Sequence, residues 1–570
     1  LIKIIIYIIY FIFAASALLN GQTTIFNHEP DWISEPLGHV ATGLGIADIN
    51  QDGWDDIVVA NGNDIEPQHL CVYYNLGNGT FHDNPSWVSE DTDFHGHLAI
   101  GDINGDNRMD VAVSVLAREK YPYSPGYVKV YFNKGVELEA LPAYSTADSM
   151  FTFSCALGDA DGDGDLDLAV ACGFSEIFTQ TYNRIYYNEN GELQRLPGWK
   201  SDVFMNSLDV DFADMDCNGY LDLVFINYPS PDYIFFADAS GSIQTSPGWK
   251  SQVPHYRGNS LVISILDDNE YLDLVVSGHN SSIYGNYIAY LFDSPPGGMS
   301  YPQWGDLIFA YGSAILADDF NGDGWNDLAG GVWWGPMRLY LGTRDGLESE
   351  PFWISNTYTV AEAFASRDLD QDGRFPVQDT IDVSLDSAHC VYLSGNNIEK
   401  INSVMLNGHY MNPVTDYCTT PGARWISTTC PLSKGDQFIL DYVASSDRDL
   451  VVTNFDRDIG NYIFYNQHVT SSVKNEKEEL ENTVQVFPNP FNTRCVFRIT
   501  NSPNHNGSVQ IFEISGRLVK TIGFNARHFG TQEIVWDGRD ENGKIIPSGL
   551  YIYRIIHDRR SIFGKMTCLR

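Results

Sequence analysis

From residue 24 to residue 469 the chain is built of short apolar runs separated by turns rich in Gly, Asn and Asp. One phrase recurs. It reads DINQDGWDDIVVANG from Asp48, DINGDNRMDVAVSV from Asp102, DADGDGDLDLAVACG from Asp159, DMDCNGYLDLVFINY from Asp214, DFNGDGWNDLAGGV from Asp319 and DLDQDGRFPVQDTIDVSL from Asp368. Two weaker copies, ILDDNEYLDLVVSG from Ile265 and DYVASSDRDLVVTN from Asp441, keep the apolar run and lose loop acids. The alternation in each copy predicts four strands: A before the acidic phrase, as in HLAIGD; B after it, as in DIVVAN; an aromatic C, as in VYYN at Val72; and D, which ends in an aromatic residue.

That aromatic residue sets the frame independently, standing 15 or 16 positions before each phrase at Trp32, Trp87, Tyr144, Trp199, Trp249, Trp304, Trp353 and Trp425. Six of these close a Pro-x-Trp triplet. Four-stranded units repeating at about 50 residues predict an all-β propeller, here with eight blades, or alternatively seven. The chain opens with a D-like stretch, TTIFNHEPDW, and the last copy stops after its C strand at YIFYN, so the N-terminus is expected to complete the last blade.

In DINQDGWDD, the side chains of Asp48, Asn50, Asp52 and Asp56 occupy positions 1, 3, 5 and 9 of a tight loop, a set of hard oxygen donors suited to calcium. Gly53 at position 6 supplies a positive φ, and Asn107 takes that role in the second copy. The equivalent sets are Asp102, Asn104, Asp106 and Asp110; Asp159, Asp161, Asp163 and Asp167; Asp214, Asp216, Asn218 and Asp222; and Asp319, Asn321, Asp323 and Asp327. The copy at Asp368 departs from the pattern: Asp368, Asp370 and Asp372 are in place, but position 9 is Pro376. Asp379, at position 12, is the expected last ligand, and Asp382 the alternative if the intervening residues loop out. The competing reading is Asp-rich turns without metal, since Asp and Asn favour turns; carboxylates forced together argue for a cation, and about six calcium sites are expected.

These repeats resemble the FG-GAP or VCBS family of integrin α-subunit propellers and bacterial surface proteins, over residues 24–469. The resemblance implies a backbone carbonyl at position 7 of each calcium shell. It also implies a scaffold that hosts lectins and adhesins, the leading expectation, and some polysaccharide lyases or hydrolases, the alternative. The ligand is expected on the face opposite the acidic loops, where the B–C loops vary in length and are rich in Tyr. Candidate contacts are Tyr121, Tyr123 and Tyr127; His95 and His97, whose spacing on a strand turns both one way; and Trp333 and Trp334, for which inter-blade packing is the competing role. No motif of a catalytic nucleophile or metalloprotease occurs, so no catalytic residue is assigned.

The rest of the chain concerns export. Residues 1–21 hold Lys3, then an apolar run from Ile4 to Leu19 with Ala15, Ser16 and Ala17 near its end, the layout of a signal peptide and short of the ~20 residues of a membrane span. Residues 470–483 form a polar linker after a propeller assigned to 22–469. Residues 484–570 change sign, with 12 basic and 6 acidic residues against 22 and 68 before them. Their alternating runs predict a small immunoglobulin-like β-sandwich. PNPFN at Pro488, ISGRLVKT at Ile514, WDGRDENG at Trp536, PSGLYIYRI at Pro547 and the basic end KMTCLR resemble the type A sorting domain of type IX secretion, while a flagellar hook-cap type module shares the WDG and PSG turns. The resemblance implies an exported protein, partnered by that machinery and by a glycan or surface protein, with no transmembrane segment once mature. The net charge of −40 excludes nucleic acid as a partner. Among nine cysteines, Cys418 with Cys430 is the expected disulfide and Cys155 with Cys172 a second possibility.

Overall fold

The computed structural model describes residues 24–467 and 484–569, apart from 121, 175–180, 253–257, 270, 279–284, 295, 297–300, 307–309, 394–397, 488–490, 502–504, 514–516, 527–529, 542 and 558–559. The signal-peptide stretch, the linker, Tyr121 and the first half of PNPFN therefore lie outside the described residues. Residues 24–467 and 484–569 belong to two separate compact units.

The first unit is made of four-stranded antiparallel sheets in the order A-B-C-D. Sheet 1 is Ala41–Ala47, Asp56–Asn61, Leu70–Tyr73 and Trp87–Val88. Sheets 2 to 6 repeat it, their A strands being His95–Gly101, Ser154–Gly158, Ser207–Ala213, Gly258–Ser264 and Gly312–Asp318. Sheet 7 joins Thr359–Arg367, Asp449–Asn454 and Tyr462–Phe464 to the N-terminal Trp32–Ile33, which pairs in the register Trp32↔Ile463. Each A strand adjoins the next, and Thr359–Arg367 adjoins both Gly312–Asp318 and Ala41–Ala47, so the A strands close a ring. Apolar residues fill each gap between sheets, as where Val58, Val72, Trp87, Val111 and Tyr131 meet between sheets 1 and 2. Circular closure covers the inner sheet edges that an open stack would expose.

Among the described residues the expected eighth blade has no sheet of its own. The copies at Asp368 and Asp441 belong to a single sheet, because Asp449–Asn454 is the B strand of Thr359–Arg367, with Arg367↔Asp449 in register. Between them, residues 374–445 form an insert of two small sheets. Arg374–Asp382 and Gln437–Ser445 pair along their whole length, from Arg374↔Ser445 to Asp382↔Gln437, as the stem by which the chain leaves and returns. Trp425 therefore sits in a strand of the insert, Trp425–Leu432, rather than in a D strand. The insert buries its own core of Val391, Val404, Ile426, Leu432, Phe438 and Leu440.

The second unit has two sheets. One is Val484–Phe487, Cys495–Asn501 and Gly530–Trp536; the other is Leu518–Ala526, His505–Glu513, Gly549–His557 and Arg560–Cys568. Phe491, Phe497, Val509, Ile511, Trp536 and Tyr551 form its core, as the alternating pattern of these strands requires. All nine cysteines are free. Cys418 lies opposite Ser427, three residues short of Cys430, and Cys155 lies opposite Val170, two residues short of Cys172.

Candidate functional site

The acidic loops join strands A and B, so they share one face of the ring. In the first, Asp48 accepts the N–H groups of Asp52 (3.0 Å) and Gly53 (2.9 Å), Asn50 accepts Asp52 N–H (2.9 Å), and Asp52 accepts Trp54 N–H (2.9 Å). The same contacts recur at Asp102, Asp214 and Asp319. In the five loops from Asp48, Asp102, Asp159, Asp214 and Asp319, two residues take a left-handed backbone. Position 6 does so at Gly53, Asn107, Gly164, Gly219 and Gly324, as the sequence predicts. Position 4 does so as well, even where it is Gln51, Cys217 or Gln371, residues for which that conformation is uncommon.

The acid at position 9 has a role that sequence spacing did not reveal. One oxygen of Asp56 accepts Ile49 N–H (3.0 Å) and the other accepts Asn75 N–H (2.9 Å), pinning loop, B strand and C strand together. Asp110, Asp167, Asp222 and Asp327 repeat this latch, and so does Asp273 in the copy that begins with Ile265. Backbone donors so placed satisfy a carboxylate that is fully buried.

In sheet 7 the latch is Asp449, which accepts Leu369 N–H (2.8 Å) and Asn466 N–H (2.9 Å). The insert splits this loop between Gly373 and Asp447, and its paired stem holds the two ends together. Asp379, the expected ligand, instead accepts the Tyr442 hydroxyl (2.7 Å) within the stem, and Asp382 is exposed at the stem's far end. A twelve-residue reading failed because the chain resumes the loop only after a whole subdomain. Asp447 is an addition to the set: it is buried, as is Asp368, and each has one carboxylate oxygen without a hydrogen-bond partner.

The donors fit a hard divalent cation. Carboxylate oxygens of Asp159, Asp161 and Asp167, of Asp214, Asp216 and Asp222, and of Asp368, Asp370 and Asp372 lie within 4.8 Å of one another in each group. Burial, with neighbouring carboxylates adding to it, pushes Asp159 and Asp214 up to about 7 and Asp222 to about 8. Burial and the Asp449, Asp372 and Asp368 carboxylates push Asp447 up to about 10. Such shifts reflect burial first and neighbouring carboxylates second, and a bound cation would offset both.

At the opposite face the expected residues separate. His95 is fully buried and its Nδ1 bonds the Asn61 carbonyl (2.8 Å), whereas His97 lines the central channel 3.6 Å from Asp209 Oδ1. A bulge between His95 and Leu98 breaks the alternation that would have kept the two together. Tyr127 donates to Asp93 (2.9 Å), which with Asp91 also binds the fully buried Lys129 at 2.7 and 2.6 Å. Tyr123 packs edge-on against Phe174. Both are half-buried and held by their own neighbours.

Trp333 and Trp334 end the B strand of sheet 6, Asp327–Gly335. Trp333 is half-buried, stacked on Tyr311 at 5.8 Å and on Phe455 at 6.4 Å, and its indole N–H points to Glu362 Oε2 (3.4 Å). Trp334 is 67% exposed and takes φ 54°, a strained backbone for so bulky a residue. Tyr311 was missed from the sequence; its place just before an A strand puts it at the same face.

Residues 48–113 match the model of the FG-GAP-like repeat, and residues 494–559 that of the FlgD Ig-like domain. A chain from a crystal structure of BBS1N in complex with ARL6DN, soaked with mercury, is similar at 11% identity, covering 74% of this chain and 98% of that one, with a TM-score of 0.41. A chain from the same complex soaked with lead is 12% identical over 62% of this chain and 93% of that one, with a TM-score of 0.38. No curated protein matches.

Proposed function

We propose that this chain is a secreted or cell-surface binding module in which calcium stiffens the ring and the aromatic shelf opposite takes a glycan or a surface protein. The exposed Trp334, held in a strained backbone beside Tyr311 and Trp333, carries the binding half of this reading. A flat indole presented to solvent suits a sugar ring or a protein hot spot, and nothing in packing alone requires that backbone. Asp48, Asn50, Asp52 and Asp56, and their counterparts in the loops from Asp102, Asp159, Asp214 and Asp319, with Asp368, Asp370 and Asp372 in the split loop, would hold calcium; bound there it supplies charge neutralisation and a rigid loop. A glycan array run with and without calcium, repeated with Trp334→Ala, tests both halves. Binding that survives the substitution would place the ligand elsewhere.

For export, the reading is a signal peptide at residues 1–21 and a type A sorting domain of type IX secretion at 484–570. Its support is the set of motifs from PNPFN to KMTCLR on an immunoglobulin-like sandwich. Intact mass of the protein recovered from the cell surface should show both ends removed; a full-length product retained in the periplasm would refute sorting.

A polysaccharide lyase or hydrolase is the second reading. It is favoured by Glu362, a buried carboxyl that burial pushes up to about 7, lying beside the shelf. Product analysis on any polysaccharide that the array identifies separates cleavage from binding.

A further inference from the structure

The insert does more than interrupt sheet 7. Its segment Thr420–Arg424, with Ile398, closes the acidic-loop end of the central channel and leaves a blind cavity of about 410 Å³ lined by the A strands. At the level of this floor, where each A strand pairs with its latch aspartate, the other sheets carry Ala47, Gly101, Gly158, Ala213, Ser264 and Asp318. Sheet 7 carries Arg367.

Arg367 is only 5% exposed, and its guanidinium lies against Gly422 of the insert, where an added Cβ would stand 3.2 Å from Nη2. Among the described residues it has no carboxylate and no hydrogen-bond acceptor. The carboxylates at the floor are committed: Asp318 pairs with Arg448 at 2.7 Å, and Glu399 pairs with Arg448 and, at 3.3 Å, with Arg374. Arg424, on the same wall, donates to the neutral Asn326 amide oxygen (2.9 Å) and, behind Arg448, helps hold the Asp318 carboxyl below its usual range. In a chain with 74 acidic and 34 basic residues, a guanidinium without a carboxylate, as at Arg367, is unexpected, and Arg424 adds a second that shares Asp318 with Arg448. A buried guanidinium without a partner is costly, and a planar oxyanion fits its fork.

We propose that the blind channel is a binding site for a small organic carboxylate, its acid group on Arg367 and Arg424. Above the floor the walls are apolar at Ala156, Val210, Val262 and Phe364, with the acceptors Asp211 and Asp209 on one strand, two and four residues above the floor residue Ala213. The preferred ligand is therefore a carboxylate with donor groups along its length, such as a hydroxy acid, rather than a bare inorganic anion. This site is distinct from the aromatic shelf and does not rest on the role given to it.

The test is calorimetric titration of the calcium-loaded full chain, at fixed ionic strength, with glucuronate, glucose and inorganic phosphate. Glucuronate should bind saturably at one site, glucose should not, and Arg367→Met should weaken glucuronate at least tenfold. Without ligand, Arg367→Met should melt no lower than the parent, since it removes an unpaired buried charge. Should that variant fold poorly, Arg424→Gln and a crystal structure with glucuronate answer the same question. Glucuronate density outside the channel, equal binding of glucose, phosphate alone binding, no binding at all, or undiminished affinity in the folded variants would each overturn the assignment.

Discussion

Sheets 1 and 7 share one strand order and one loop geometry but reach it by different chain paths. In sheet 1 the loop from Asp48 to its latch Asp56 is continuous; in sheet 7 the same positions run from Asp368 to Gly373 and resume at Asp447, with a subdomain between. The loop survives because the insert departs and returns as a paired stem, so the latch Asp449 meets Leu369 N–H as Asp56 meets Ile49 N–H. Interruption also changes the chemistry. Sheet 1 has Thr42 and Ala47 where sheet 7 has Glu362 and Arg367, so the blade bearing the insert buries a carboxyl beside the shelf and brings a guanidinium to the channel.

Chelation should have the largest effect and act on both kinds of loop. At free calcium ten times Kd each site adds about 1.4 kcal/mol, or about 8 kcal/mol over six, so the melting midpoint should fall sharply in chelator. An unchanged midpoint would make continuous and split loops alike ordinary turns.

Substitution of the latches tests whether the split loop is truly equivalent. Asp56→Ala and Asp449→Ala should each cost about 3 to 5 kcal/mol in denaturant unfolding, because each leaves buried N–H groups without acceptors. Asp379→Ala should cost only about 1 kcal/mol, the worth of one hydrogen bond. The reverse order would return Asp379 to the loop.

The charge peculiar to sheet 7 should appear in the pH dependence. Burial raises Glu362 from 4.5 to about 7, so the native state holds that proton more tightly than the unfolded chain. Its contribution is complete below about pH 4.5 and is lost as pH rises through about 7, amounting to about 3 kcal/mol. Glu362→Gln should flatten that part of the stability profile, whereas Thr42→Ala in sheet 1 should leave its shape unchanged.

Trp334→Ala should have the smallest effect on stability, within about 0.5 kcal/mol, since the side chain is exposed. Ligand binding should nevertheless weaken about tenfold. A lowered melting point with unchanged binding would make the tryptophan a packing residue.

Much of this molecule was legible in one dimension because strands, turns and acidic loops are local. The A and B strands, the phrases from Asp48 to Asp319 and the closing strand at Trp32 depend on neighbours within a few residues or on a repeated frame, and they stand where the pattern placed them. A signal for the missing eighth blade was present: Trp425 lacks the proline that stands two residues before each of the other seven aromatic markers. Contacts across large sequence distances were not legible. The pairing of Arg367 with Asp449, the return of Asp447 to Asp368, the bulge that parts His95 from His97 and the gathering of Arg367 and Arg424 in one cavity are fixed by strand register and ring closure. These depend on which edges and side chains meet in space, and spacing along the chain carries no information about that once a subdomain intervenes.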